Sequence, residues 1–168
     1  MKILLTGGTG FIGRNLISRL SKQNEITALV RDSGKLGEQW GISVVNGDLK
    51  KGLEIEKLPR SIDIIIHLAQ ADTSFPEKAT PFFAVNTVSN QNLLDYGYQA
   101  GASQFIFAST GDVYGSKKEG ACQEDDSVKP ESFYAVTKFA SELLINSYSD
   151  FIKPCILRLF RPYGPGQE

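Results

Sequence analysis

The stretch SFYAVTKFASELL, residues 132 to 144, sets Tyr134 and Lys138 four positions apart within an amphipathic pattern. At that spacing two side chains share one face of a helix. A phenol with its ordinary pKa of ~10 is a poor base at neutral pH, and a neighbouring ammonium favours the phenolate. Such a pair suits proton transfer to or from a hydroxyl; on a plain helix surface it is a small stabilising contact. A second stretch, TGGTGFIG at 6–13, is dense in glycine. Gly8, Gly10 and Gly13 satisfy G-x-G-x-x-G, while Gly7, Gly10 and Gly13 satisfy G-x-x-G-x-x-G. Between a strand and a helix, such glycines allow a tight turn and let backbone N–H groups approach a pyrophosphate. The helix N-terminus then favours the negative charge. Glycine-rich turns also arise for packing alone, so both readings depend on the surrounding elements.

Short β-rich apolar runs alternate with longer helical patterns, which predicts βαβ units around a parallel sheet. Strands are expected near 2–6, 25–30, 42–46, 62–67, 104–109 and 154–159, each apolar enough to be covered on both faces. Helices are expected at 11–22, 79–100 and 131–149, with a short helix or an irregular connection at 51–58. Residues 110–130 are polar, charged and rich in glycine, a loop long enough to suggest function. The fold class is therefore α/β, a Rossmann-type doubly wound sheet in three layers with six strands. In that context the glycine loop predicts dinucleotide binding. The residue ending the second strand discriminates between nicotinamide cofactors. Here Arg31 follows Val30 and Asp32 lies one position further out. Arg31 favours NADP through its 2′-phosphate, with NAD as the alternative if Arg31 and Asp32 are only a solvated pair in a turn.

With 168 residues, 18 Lys and Arg and 19 Asp and Glu, the chain is one domain of nearly balanced charge. That gives no electrostatic support for a nucleic-acid or membrane-surface partner. The apolar runs are too short to span a bilayer, and the start MKILLTGG has no signal-peptide pattern, so a cytoplasmic location is expected. Cys122 and Cys155 fit no disulfide framework or metal spacing and read as ordinary thiols. His67 ends an apolar strand and reads as a satisfied core or cofactor-lining histidine. Trp40 and the pairs Phe82, Phe83 and Phe105, Phe107 read as packing groups, and Glu124-Asp125-Asp126 as a solvated loop.

Seven segments in order resemble the extended branch of the short-chain dehydrogenase/reductase family, of the NAD-dependent epimerase/dehydratase type. They are TGGTGFIG, Asp48 and Leu49 in NGDL, HLAQ at 67–70, Asn86, STGDVYG at 109–115, YAVTK, and RLFRPYGPGQ at 158–167. The resemblance implies a nicotinamide cofactor held by Gly7, Gly8, Gly10, Phe11, Ile12, Gly13, Arg31, Asp48, Leu49, Leu68, Ala69, Gln70, Asn86, Tyr134 and Lys138. It implies a catalytic set of Thr110, Tyr134 and Lys138, Tyr134 moving the proton, Thr110 bonding the same substrate oxygen and Lys138 holding ribose hydroxyls. It further implies a nucleotide-sugar substrate and no metal.

Two departures from the family pattern stand out. Arg161 replaces an asparagine, and Gly111-Asp112 replace the Asp-Glu of sugar dehydratases. The second favours an epimerase or reductase over a dehydratase, since elimination of water needs both an acid and a base. A non-catalytic cofactor sensor is the alternative outside enzymes. The resemblance also implies a homodimer through helices 79–100 and 131–149. Phe82, Phe83, Val85, Leu93, Leu94, Phe133, Val136, Phe139 and Leu143 were the apolar residues from which that interface is expected. A C-terminal substrate lobe belongs to the family pattern, and the chain ends before it, so 1–168 is expected to be the cofactor domain, without turnover on its own.

Overall fold

The computed structural model describes residues 1–36, 41–71, 75–116 and 120–167. Trp40 lies outside them. Six strands form one parallel sheet: β1 (Lys2–Thr6), β2 (Glu25–Val30), β3 (Ser43–Asn46), β4 (Ile64–His67), β5 (Gln104–Thr110) and β6 (Lys153–Leu159). Their order is β3-β2-β1-β4-β5-β6, so the direction of crossover reverses between β1 and β4. Register places Thr6 beside His67 and Thr110 beside Leu159, which brings the carboxyl ends of the inner strands level.

Alternation along β1 divides the core. Ile3 and Leu5 face α1 (Phe11–Leu20) and pack with Ile17, Ile26, Ala28 and Ile66. Leu4 faces the other way, joining Ile65, Phe105 and Phe107 with Leu93, Leu94 and Ile145. Those last three come from α3 (Ser89–Ala100) and α4 (Phe133–Asn146). Phe105 and Phe107 are thus core residues as expected. The edge strands differ from expectation. Most of β3 is exposed and β6 is only half-buried, because each has a neighbouring strand on one side alone.

The stretch 79–100 is helical throughout but not uniform. A short α2 (Ala79–Phe83) runs into a π turn over Ala84–Val88 before α3 begins. Residues 51–58 hold no α-helix; tight 3₁₀ turns span Leu49–Lys51 and Ile55–Lys57. Another, Gly111–Tyr114, opens the segment expected as loop. The dimer face is also narrower than the sequence suggests. Phe82, Leu93 and Leu94 point into the core, while Phe83, Val88, Val136 and Leu143 are exposed. Phe83 is therefore not a packing group. Among the described residues no helix is long and apolar enough to cross a membrane.

Candidate active site

A cleft of ≈ 1690 Å³ runs along the carboxyl ends of the strands, outside the reversal point where open α/β sheets bind ligands. The glycine loop forms its floor. Gly7 has φ +75, and a Cβ there would lie 2.7 Å from Ala69 N. A Cβ on Gly13 would lie 2.2 Å from Gly7 O, so helix α1 can meet the loop this closely only without a side chain. Gly8 is buried below the loop, against Ile17 and Leu5. The first turn of α1 has neither a side-chain cap nor an acidic residue. Its leading N–H groups and positive dipole end thus meet no acidic side chain from the helix's own first turn. This cradle suits a pyrophosphate, and Gly7, Gly10, Phe11, Ile12 and Gly13 line it.

At one end of the cleft stand Arg31, Asp48 and Leu49. Asp48 caps the following turn by accepting from Lys50 N at 3.1 Å. Asp32 caps its own turn through Gly34 N at 3.0 Å, which leaves Arg31 as the charged side chain of that strand end in the cleft wall. Leu68, Ala69 and Gln70 line the middle. Asn86 lies behind the wall, fully buried, where its Oδ1 accepts from Ala71 N at 2.8 Å. Its backbone carbonyl accepts from Asn90 Nδ2 at 2.9 Å and Ser141 Oγ at 2.7 Å. Asn86 therefore shapes the loop beside the cleft rather than lining it.

Thr110 and Tyr134 line the far end. Thr110 Oγ1 accepts from Asp112 N at 3.2 Å, which keeps the hydroxyl proton available to a partner. Tyr134 donates to Gln70 Oε1 at 3.0 Å. Lys138 lies one turn behind it, 1% exposed. Its Nζ donates to Ala108 O at 2.8 Å and stands 4.7 Å over the Phe107 ring and 5.8 Å from the Tyr134 ring. Burial pulls the ammonium pKa down from 10.5 to about 8. Lys138 is thus a buried cation under the tyrosine, behind the cleft surface. His67, fully buried, has its pKa pushed down to about 3, chiefly by burial and then by the Lys138 charge. Thr6 Oγ1 accepts from Ala69 N at 3.2 Å and lies 2.6 Å from His67 Nδ1, to which it can donate. Ser89 Oγ donates to Val85 O at 2.6 Å and can accept from His67 Nε2 at 3.3 Å. That assignment satisfies a neutral ring on both nitrogens, so His67 is the satisfied core histidine that its position suggests.

The same architecture recurs in known proteins. The profile of the "NAD dependent epimerase/dehydratase family" matches residues 3–168. The chain belongs to this family. It is 30% identical to the low-salt glycan biosynthesis protein Agl12 of Haloferax volcanii, over all of this chain and 59% of that protein. It is 32% identical to the uncharacterized UDP-glucose epimerase YtcB of Bacillus subtilis, over all of this chain and 58% of that one. Among solved structures it resembles the UDP-glucuronic acid 4-epimerase of Bacillus cereus in complex with NAD, with a TM-score of 0.86 and 32% identity, covering 99% of this chain and 59% of the other. The chain thus spans less than two thirds of the length of these relatives.

Against the family pattern, this chain's departures have visible consequences. At Gly111 a Cβ would lie 2.3 Å from the Phe160 ring, which fills the place of a side chain there and stacks on Tyr114 at 6.2 Å. Arg161, with φ 36, lines the same end of the cleft. Three features escaped the sequence reading. The Gln70–Tyr134 bond joins residues 64 positions apart, and no local pattern signals it. An ion pair between buried Glu142 and partly exposed Arg158 lies behind Thr110 and Tyr134. Glu142 continues the four-residue spacing of Tyr134 and Lys138, and that periodicity was the available signal. Glu124, finally, contributes its backbone carbonyl rather than its carboxylate, accepting from Arg158 at 3.3 Å.

Proposed function

We propose that this chain binds a nicotinamide dinucleotide and carries the acid/base apparatus of an epimerase or reductase acting on a nucleotide sugar. The observation carrying this reading is the single cleft that joins the glycine cradle to Thr110 and Tyr134, with a buried ammonium beneath the phenol. The cradle at Gly7 and Gly13 fits the pyrophosphate, and Asp48 with Leu49 would flank the adenine end. When bound, the nicotinamide supplies a hydride acceptor and donor. Tyr134 would take the proton of a sugar hydroxyl as the carbon beneath it gives up hydride, and return it in the reverse step. Moving from Gln70 to the substrate oxygen costs Tyr134 one hydrogen bond and gains another. Thr110 would donate to the same oxygen and stabilise its developing charge. Lys138, already desolvated, favours the ionised phenol at little further reorganisation.

The substrate class rests on the relatives, among them UDP-glucuronic acid 4-epimerase of Bacillus cereus with UDP-glucuronic acid and NAD. Gly111, backed by the Phe160 ring, supports epimerisation or reduction over elimination, which would need a carboxylate there. Arg31 in the cleft wall supports NADP, while the Bacillus cereus relative was solved with NAD. Fluorescence titration with NADPH and NADH decides this point. Tighter NADPH binding that is lost in Arg31→Ala supports NADP, and equal binding in both forms makes the cofactor NAD. Turnover of a nucleotide-sugar panel by a longer form that carries the family's substrate lobe tests the chemistry: Tyr134→Phe in that form should abolish it and leave cofactor affinity nearly unchanged. A Tyr134→Phe variant with full activity refutes the role of Tyr134. The exposed residues Phe83, Val88, Val136 and Leu143 support a homodimer through α2, the π turn and α4; light scattering that finds a monomer at high concentration removes it.

A further inference from the structure

Buried Glu142 and partly buried Arg158 form a charged pair that the proposed chemistry leaves unused. Glu142 is 2% exposed. Its Oε1 accepts from Arg158 Nε at 3.1 Å and from the Ser109 hydroxyl, and its Oε2 from Nη2 at 2.7 Å. Arg158 Nη1 donates to Tyr114 Oη at 2.8 Å and to Glu124 O at 3.3 Å. Its guanidinium carbon lies 4.8 Å from the centre of the Tyr114 ring. Every arm of the guanidinium is thus engaged: Nε and Nη2 on the helix, at Glu142, and Nη1 on the turn and the loop, at Tyr114 and Glu124.

Stability alone is a weak reason for such a pair, because desolvating two charges offsets most of their attraction. Its distinctive effect is geometric. Ser109 precedes Thr110, Tyr114 closes the turn that holds Asp112, and Glu124 lies two residues beyond Cys122, which lines the cleft mouth. Glu142 lies on the face of α4 that carries Lys138 and Tyr134, one and two turns away. One guanidinium therefore ties together the strand end, the helix, the 3₁₀ turn and the loop that surround the reacting end. We propose that Arg158 and Glu142 are positioning residues, fixing α4 and the 120–126 loop relative to the end of β5. The role of this geometry in catalysis rests on the function proposed above; the geometric tie itself does not.

Cys122 offers a reporter, since Cys155→Ser leaves it as the sole thiol. Iodoacetamide alkylation of Cys122 and NADH affinity are measured in that background for the parent, Arg158→Met, Arg158→Lys and Glu142→Gln. Ile152→Ala, a buried core change at the opposite end of β6, serves as the stability control. Well below every thermal midpoint, release of the loop should raise the alkylation rate roughly fivefold or more in Arg158→Met, with little change in Ile152→Ala. Arg158→Lys keeps the charge but not the fork and should resemble Arg158→Met. It also serves in place of Arg158→Met if that variant does not fold. Glu142→Gln should fall between these and the parent. NADH affinity should weaken in the same order. Arginine and glutamate variants that match Ile152→Ala in both readouts would make the pair ordinary core and overturn the proposal. If the parent itself binds neither NADPH nor NADH, the proposed function fails, and the alkylation rates still decide the clamp.

Discussion

Replacing Lys138 with methionine separates what the fold wants from what the site wants. The folded chain lowers this ammonium from 10.5 to about 8 by burying it. At ~1.4 kcal/mol per pH unit, that is a burden of about 3 kcal/mol on the folded state at pH 7. Unfolded chains bind the proton between pH 8 and 10.5 where folded chains have released it, so wild-type stability rises with pH across that window. Lys138→Met removes the burden but leaves Ala108 O without its 2.8 Å donor, which blurs the absolute difference at any one pH. The pH dependence is free of that term. The stability of the wild type relative to Lys138→Met should improve by roughly 1.4 kcal/mol between pH 7 and pH 9. Urea unfolding followed by circular dichroism at pH 7, 8 and 9 measures it, and groups common to both proteins cancel in the difference. Two curves that run parallel over that range would show that Lys138 is not a desolvated cation, and the argument for a primed phenol would go with it.

His67 gives the opposite pH signature. Its folded pKa is about 3 against 6.5 unfolded, so its contribution is lost as pH falls below 6.5; wild type should lose about 2 kcal/mol more than His67→Gln between pH 7 and 5. Equal acid slopes in urea unfolding would disprove this. Gly13→Ala puts a methyl 2.2 Å from Gly7 O, and backbone cannot step aside cheaply. Dinucleotide affinity by calorimetry should drop roughly tenfold or more, and unchanged affinity would disqualify the loop as the cradle. Gly111→Asp should evict the exposed Phe160 ring at a cost under ~1 kcal/mol. A loss of the near-ultraviolet aromatic signal from Tyr114 and Phe160 checks it, and an unaltered signal would mean that the ring does not depend on Gly111.

Periodicity and glycine spacing made most of the fold legible. All six strands lie within a residue or two of where apolar runs place them; for the inner strands this is because a buried parallel strand has little freedom in composition. The π turn at Ala84–Val88 was not legible, since no residue pattern over 84–88 separates it from an ordinary helical turn. Its contact with Ser141, through the Asn86 carbonyl, forms only once α4 packs on α3. The outward face of 79–100 was misread for a related reason. An apolar count says that Leu93 and Leu94 need cover but not whether the sheet or a second copy provides it. In the site, the motif residues Gly7, Gly10, Gly13, Thr110 and Tyr134 line one cleft, while Asn86 and Lys138 lie behind its wall. Contacts between distant segments, such as Tyr134 with Gln70, carry no local signature and emerged only with the fold.

The spacing of four that joins Tyr134 to Lys138 does not stop there. Glu142 extends it, and the three side chains bond to three different strand ends: Tyr134 to Gln70 after β4, Lys138 to Ala108 in β5, and Glu142 to Arg158 in β6. A helix tied at one point can roll or slide; tied at three points along one stripe, each to a different strand, it can do neither without breaking one of those bonds. Ser132 fixes its start by capping Ala135 N at 3.1 Å. The position of the phenol over the cleft is then set by the whole sheet rather than by the tyrosine's own turn. That accounts for a buried lysine and a buried glutamate on one helix face, an arrangement that hydrophobic packing alone would not select. It also locates the sensitivity of the site: changes as far back as Glu142 should reach Tyr134, whereas changes on the outward face, at Val136 or Leu143, should not.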